Sequence, residues 1–410
     1  MRDPRRYRDG PTPSAPPVWQ ARPTPLPTPP RTPLATGTAV IPVGQLTTLR
    51  ERFRWFATEA RERSELYHHL SSTLVDRPEV MAVLAAAHPD QQRPNLLFAA
   101  VHDVLLSGAD DPLAEHYPSV GGTRPVDAGT TERFAAFVQR FADPVDQRIR
   151  TRATQTNEPG RAAGLRPALA WVAGPDRPLA LVELGCSAGL LLHLDRYRYR
   201  FGGVEVGPAD ARVRIEPQLR GTRPEQLEFG RVAARTGIDR APLSPAAPDD
   251  ARWLQACVWP EDLPRMRRLA DALEVATVHG DVHQVRGDLV DHLVPAVHAA
   301  PADALVCVLH SAALAYLSPA DRAAVEQQLD ELGTERDLAR VGLEGGGFDP
   351  FITLEAGLPD PAMGAERFVL GATTWRDGHR EDRLLARMQP HGVWLDWLGG
   401  AGPVQRAPPG

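Results

Sequence analysis

The chain has 410 residues, 42% of them hydrophobic and 24% charged, a globular composition with room for one large or two ordinary domains. A formal net charge of -6 excludes any general electrostatic attraction to nucleic acid or acidic membranes. All 46 basic residues are arginine, which excludes a lysine Schiff base, a pyridoxal phosphate anchor and a P-loop lysine.

Residues 1–44 hold twelve prolines, many arginines and few large apolar side chains. Such a segment cannot bury enough surface to offset its ordering entropy, so a disordered, polyproline-like tail is expected. Thr48-x-x-Glu51 reads as a capping box opening a first helix, with Phe53, Phe56, Ala57, Ala60, Leu66 and Leu70 at helical spacing. Asp76-Arg-Pro78 predicts a second helix start. Pro94 to Leu106 predicts a third helix, apolar all round and therefore buried, and Thr130 to Phe141 a fourth. Residues 45–150 thus form a helical region without strands, either a cap over a site or a bundle that binds a protein partner.

From about residue 165 strands alternate with helices, so residues 151–400 are expected to form an α/β domain on a mostly parallel sheet. Strands are expected near 179–184, 203–206 or 212–216, 275–279, 304–309, 340–344, 366–373 and 392–397. A loop should span 239–250, followed by a helix over Trp253 to Ala272 broken at Trp259-Pro260. Another helix should run from Arg383 to a turn at His391-Gly392.

The richest stretch is Leu179-Ala-Leu-Val-Glu183-Leu-Gly185-Cys-Ser187-Ala-Gly189-Leu. An apolar strand ends in an acid, and small residues lead from it into a helical pattern. That arrangement brings main-chain N–H groups and a helix start up to a ligand. A carboxylate there repels phosphate and suits an amino group or ribose hydroxyls. Glu183-x-Gly185-x-x-x-Gly189 in this setting resembles motif I of class I S-adenosylmethionine-dependent methyltransferases. The resemblance implies a Rossmann-like core, S-adenosylmethionine as cofactor and methyl transfer to a small molecule. Glu183, Gly185, Ser187 and Gly189 would contact the cofactor.

Other sites follow from strand ends. Asp288, after Val285-Arg-Gly, can bond an adenine amino group, cap a helix over Leu289 to Leu293, or do both. His310 ends the buried strand Leu305 to Leu309 and would serve as general base. Tyr316 follows on the next segment. Arg152, Gln155, Asn157 and Glu158 crowd the entry to the first strand as candidates for positioning substrate or cofactor, and His391 is a candidate to face the pocket from its turn, with a structural role as the alternative. The letters Gly185-Cys-Ser187-Ala-Gly189 also spell a nucleophile elbow, so the rival enzyme is a serine hydrolase using Ser187, Asp349 and His391. The rival without chemistry is a methyltransferase-shaped binding module.

Three cysteines without Cys-x-x-Cys spacing give no disulfide framework or zinc site. His279-Gly-Asp281-Val-His283 would share one face of a strand, but no second cluster completes a ligand set, and no metal is expected. No apolar run approaches the roughly 18 residues a membrane helix needs, so no membrane partner and a cytoplasmic location are expected. Nor does a basic stripe with interleaved aromatics suggest nucleic acid.

Several phrases in order resemble one bacterial family, the domain-of-unknown-function 2332 family, common in actinobacteria. They are Pro94-Asn-Leu-Leu-Phe-Ala-Ala-Val-His, Thr154-Gln-Thr-Asn-Glu158, Val182-Glu-Leu-Gly-Cys-Ser-Ala-Gly-Leu190, Asp195-Arg-Tyr-Arg-Tyr199, Cys257-Val-Trp-Pro260, His310-Ser-Ala-Ala-Leu-Ala-Tyr316 and Pro390-His-Gly392. The resemblance spans about residues 46–398 and implies no established activity. Where the family pattern places Asn, two positions past the last loop glycine, this chain has Leu191. Arg235-Thr-Gly237-Ile-Asp239 and Trp253 fit the pattern on the side expected for substrate.

Overall fold

A computed structural model describes residues 43–345 and 367–399. Two compact units divide the chain: the residues up to Thr154 with Trp259–Leu263, and Gln155–Val258 with the residues from Pro264 on. The proline-rich head up to residue 42 lies outside the described residues, as does Asp349.

The first unit is helical among its described residues: α1 (Val43–Ala60), α2 (Glu65–Thr73), α3 (Pro78–Met81), α4 (Pro94–Leu106), α5 (Thr130–Arg140) and α6 (Ala142–Thr151). The helix expected to start at Thr48 begins earlier, so Thr48 sits inside α1 with its hydroxyl on Gly44 O at 3.1 Å. Leu66 and Leu70 belong to α2, opened separately by Ser64, whose side chain accepts from Tyr67 N. Phe98 of α4 is the hub of the core. It stacks on Tyr67 at 4.6 Å and meets Phe53 and Phe134 edge-on at 6.1 and 5.7 Å. Such aromatic pairs add about 0.5–1.5 kcal/mol beyond their buried area. The short segment from the second half of the sequence completes this unit. Trp259 packs against Phe56 at 5.5 Å. Glu261 Oε1 accepts from Ser64 Oγ at 2.7 Å and from Leu66 N at 3.0 Å, placing a carboxylate at the N-terminus of α2.

In the second unit α7 (Ala162–Ala173) leads into β1 (Leu179–Leu184), whose residues are all buried. A strand apolar on both faces is what a central parallel strand requires. Next come β2 (Arg198–Phe201), β3 (Val204–Val206) and β4 (Arg214–Ile215), a separate three-stranded sheet in the order β3-β2-β4. The expected core strand at 203–206 is therefore half of a hairpin. Gly202 and Gly203, at φ +54° and +90°, turn the chain straight back.

The central sheet uses β1, β5 (Gln218–Leu219), β6 (Val232–Asp239), β7 (His283–Arg286), β8 (Leu305–Ser311), β9 (Leu338–Gly345), β10 (Phe368–Arg376), β11 (His379–Met388) and β12 (Trp394–Trp397). Their order is β5-β12-β11-β10-β9-β8-β1-β6-β7. The run β7-β6-β1-β8-β9 is parallel throughout, while β10, β11 and β12 pair antiparallel. The fold is α/β on a large, mostly parallel sheet. Helices α8 (Pro248–Ala256), α9 (Leu263–His279), α10 (Leu289–His298) and α11 (Pro319–Glu335) fill the crossovers. Ser318 and Asp321 form the capping box of α11.

Two expected elements change type. Residues 275–279 are not a strand but the end of α9, because Leu269, Ala272, Leu273 and Ala276 continue a buried helical stripe through the β-branched run. The stretch from Arg383 is not a helix but part of β11. Asp377 and Gly378, at φ +49° and +75°, form a tight turn that folds β11 back on β10. Among the described residues no helix is long and apolar enough to cross a membrane.

Candidate functional site

Strand order locates the site. From β1 the chain moves outward through β6 and β7, then returns to the other side of β1 for β8 and β9. The carboxyl ends of β1 and β8 therefore bound a topological switch point, where open α/β sheets bind ligands. Leu184 pairs in register with His310, and Glu183 with Gly237 of β6.

The loop after β1 takes the left-handed conformation three times, at Gly185 (φ +74°), Ser187 (φ +52°) and Gly189 (φ +71°). A Cβ on Gly185 would lie 2.8 Å from Ala313 Cβ, so only glycine lets the segment after β8 approach this closely. A 3-10 helix, Leu190–Arg196, follows where the sequence suggests an ordinary helix. Tyr197 and Tyr199 hydroxyls lock it by donating to Leu190 O and Leu194 O, each at 2.6 Å.

Gln155 and Asn157 hold this loop in place. Asn157 Nδ2 donates to Cys186 O at 2.9 Å, Ser187 Oγ donates to Gln155 Oε1, and Gln155 Nε2 reaches Ala241 O at 3.0 Å. Glu158 anchors the segment. It is 3% exposed and accepts from Gly160 N, Arg265 Nε and Arg268 at 2.6–3.1 Å, with His391 Nδ1 at 3.8 Å. Burial alone would raise its pKa, but the charges of Arg265, Arg268 and His391 hold it at about 2. A small pocket, no larger than a water molecule, is lined by Gln155–Glu158 and the side chains of Leu254, Cys257 and Leu269.

Glu183 behaves differently. It is 4% exposed and makes no side-chain hydrogen bond among the described residues, with Oε2 buried and without a partner there. Burial, reinforced by the nearby Asp239 charge and opposed by Arg161, pushes its pKa well above the usual carboxylate range. Asp239, at the end of β6, accepts from Ser187 N and Ala241 N, both at 2.8 Å. Beyond β7, Asp288 caps α10 through Val290 N at 3.0 Å and pairs with Arg240 at 2.5 Å. Its pKa is lowered by that main-chain bond, and further by Arg240.

His310 is 1% exposed, and its Nδ1 lies 2.9 Å from Glu344 Oε1. Glu344 also accepts from Ala313 N and Leu314 N at 3.0 and 3.2 Å, so three nitrogens converge on its Oε1, while His310 Nε2 has no partner among the described residues. Gly342 makes the room, since a Cβ there would sit 2.4 Å from His310 Cε1. Val182, Leu184, Val306 and Val308 belong to the core under α10 and α11. By alternation His310 points to that face, whereas Glu183 and Ser311 point to the face covered by α7. The structure thus sets Glu183 and His310 on either side of the sheet edge.

The remaining candidates scatter. Tyr316 is 68% exposed, and Arg152 follows the last residue of α6 in the first unit. Ser187 bonds no histidine among the described residues, and His391 lies beside Glu158. Arg235 and Trp253, expected on the substrate side, are buried packing residues. Arg235 grips Asp195 at 2.7–2.8 Å, and Trp253 is 1% exposed. No group of three or more His, Cys, Asp or Glu among the described residues could hold a metal, and Asp281 is engaged by Arg196. Tertiary contacts add Arg161, Glu344, Arg265 and Arg268 to the site. In the sequence Arg161 only ends the polar segment that begins at Arg152, Arg265 and Arg268 read with Arg267 as a solvated helix face, and Glu344 carries no signal.

No curated protein matches the chain. The family model described as an uncharacterized protein conserved in bacteria (DUF2332) matches residues 50–397. The chain therefore belongs to the DUF2332 family.

Proposed function

We propose that the second unit binds S-adenosylmethionine at the carboxyl ends of β1, β6 and β7 and transfers its methyl group to a small-molecule acceptor. One observation carries this reading: three neighbouring strands end in or just before a carboxylate, Glu183, Asp239 and Asp288, and the first is buried without a side-chain hydrogen bond among the described residues. A row of acids beside a glycine loop disfavours a pyrophosphate and suits a nucleoside bearing an amino group. The donor set fits the group. Glu183 has an open acceptor, Asp239 suits ribose hydroxyls, Asp288 suits an adenine amino group, and Gly185 and Gly189 let the main chain come close.

Bound there, the cofactor would supply an electrophilic methyl group on a sulfonium. The protein's own part is alignment and proton handling. Gln155 and Asn157 fix the loop through Ser187 and Cys186. His310 would take the acceptor's proton at Nε2, with Glu344 holding its tautomer and balancing the imidazolium.

Calorimetric titration with S-adenosylmethionine and S-adenosylhomocysteine tests the reading. Micromolar binding is expected, weakened about 10–100-fold in Asp239→Asn. No binding at millimolar ligand would sink it. Tight binding with no turnover across a metabolite panel would leave a binding module, and unchanged turnover in His310→Asn would remove the base.

A further inference from the structure

Glu261, in the segment that completes the first unit, is a half-buried acid without a cation. Its Oε1 accepts from Ser64 Oγ and Leu66 N, while its Oε2 is buried and has no hydrogen-bond partner among the described residues. It forms no ion pair among them either. Other acids of that unit are matched, Asp103 with Arg148, Asp111 with Arg140, and Asp127 with Arg133. A buried acceptor left without a donor is costly and uncommon.

A second oxygen nearby is equally bare. Tyr117 is fully buried, and its hydroxyl has no partner among the described residues. Burial pushes the pKa of that hydroxyl well above its ordinary value, and the Glu261 charge adds to the shift, so the two groups stand within electrostatic reach. In direct contact each would satisfy the other, yet no bond joins them. Aromatic rings complete the surroundings. Tyr67, next to the Leu66 N–H that Glu261 accepts, stacks on Phe98 and lies 5.9 Å from the Trp259 ring. Tyr117 lies 5.5 Å from His102, one helical turn along α4 from Phe98. Trp259 already takes one cation, since the Arg63 guanidinium carbon lies 4.3 Å from its ring centroid.

A bare carboxylate oxygen, a bare phenolic oxygen and the faces of several rings together favour a cation that carries N–H groups. We propose that the first unit binds a small primary or methylated amine at this place. Its ammonium donates to Glu261 Oε2 and Tyr117 Oη, and its carbon atoms lie against Tyr67 and Trp259. A metal ion does not suit the place, because no group of three or more His, Cys, Asp or Glu forms among the described residues. The inference does not depend on the function proposed above.

Thermal unfolding of the full chain tests it. Methylammonium chloride is compared with sodium chloride at the same ionic strength, and with methanol as the uncharged counterpart. Methylammonium should raise the unfolding temperature with a millimolar apparent affinity, and the two controls should not. Glu261→Gln keeps an oxygen for Ser64 and Leu66 N but removes the charge, and Tyr117→Phe removes only the unpaired hydroxyl. Each should weaken the apparent affinity about tenfold or more. Without amine, Tyr117→Phe should unfold no earlier than the wild type, and it carries the test should Glu261→Gln fail to fold. The inference is overturned if methylammonium does no more than sodium chloride or methanol. It is also overturned if either folded variant keeps the wild-type response, which would place the amine elsewhere. Early unfolding of Tyr117→Phe without amine would overturn it too, by giving the hydroxyl a structural partner.

Discussion

Glu158→Gln tests whether the Gln155–Glu158 segment is held by charge. In the folded protein the carboxyl sits at about 2 against an ordinary 4.5, because Arg265, Arg268 and His391 outweigh the cost of burial. At about 1.36 kcal/mol per pH unit, that difference corresponds to about 3 kcal/mol of stability. A depressed carboxyl pKa stabilises the fold above the unfolded value, and the contribution fades as pH falls from about 4.5 through about 2. At pH 3 somewhat over 1 kcal/mol of it should remain, by the same linkage relation. Glutamine keeps the shape but not the charge and leaves two partly buried guanidinium groups without their anion. Urea unfolding followed by circular dichroism should therefore show wild type and variant separated by about 3 kcal/mol at pH 7. About 2 kcal/mol of that gap should vanish by pH 3. Other acids titrate in both proteins and cancel in the comparison. A gap that stays constant between the two pH values would refute the assignment.

At position 187 the left-handed backbone makes glycine better than alanine. Ser187→Gly should unfold about 1 kcal/mol later than Ser187→Ala, although both lose the bond to Gln155. Gly342→Ala should cost about 1–3 kcal/mol in a urea titration, because its methyl meets the His310 ring at 2.4 Å. Most of that cost should disappear in a His310→Ala background, and additive losses would contradict the contact. Burial pushes the Cys307 thiol up to about 12 and Cys186 higher still, while Cys257 is half-buried. Brief alkylation of the native protein at pH 8, read by mass spectrometry, should label Cys257 alone, and early labelling at Cys186 would contradict its packing.

Much of the fold is legible where local chemistry agrees with packing. Pro94 opens α4, and its apolar run to Leu106 is buried on nearly every side, as the composition of that run requires. The run from Leu179 to Leu184 is a central strand because no polar side chain before Glu183 resists burial on either face. Two misreadings have identifiable causes. Arg383 to Met388 carries apolar residues at spacings that also suit a helix, and the hairpin signal lies outside that run, in the Asp377-Gly378 turn. Residues 232–239 carry little apolar character and an internal glycine, so β6 has no strand pattern. Gly237 is there because Cys186 packs on it, with Sγ 2.6 Å from where a Cβ would be. That contact cannot be read from either stretch alone.

The sequence by itself determined the chain's class, its glycine loop, and an acid at the end of a buried strand, because periodicity and turn chemistry act over a few neighbouring residues. It also determined the family, through phrases that run in order along the chain. The tertiary structure alone decided which strand ends meet. It set β6 beside β1, placing Asp239 against Ser187, it joined Arg161 to Pro390 O, and among the described residues it left Glu183 Oε2 and Ser311 Oγ buried without partners on one face. Those facts depend on strand order and on contacts between residues up to about 230 apart in the chain. No local pattern of side chains encodes them.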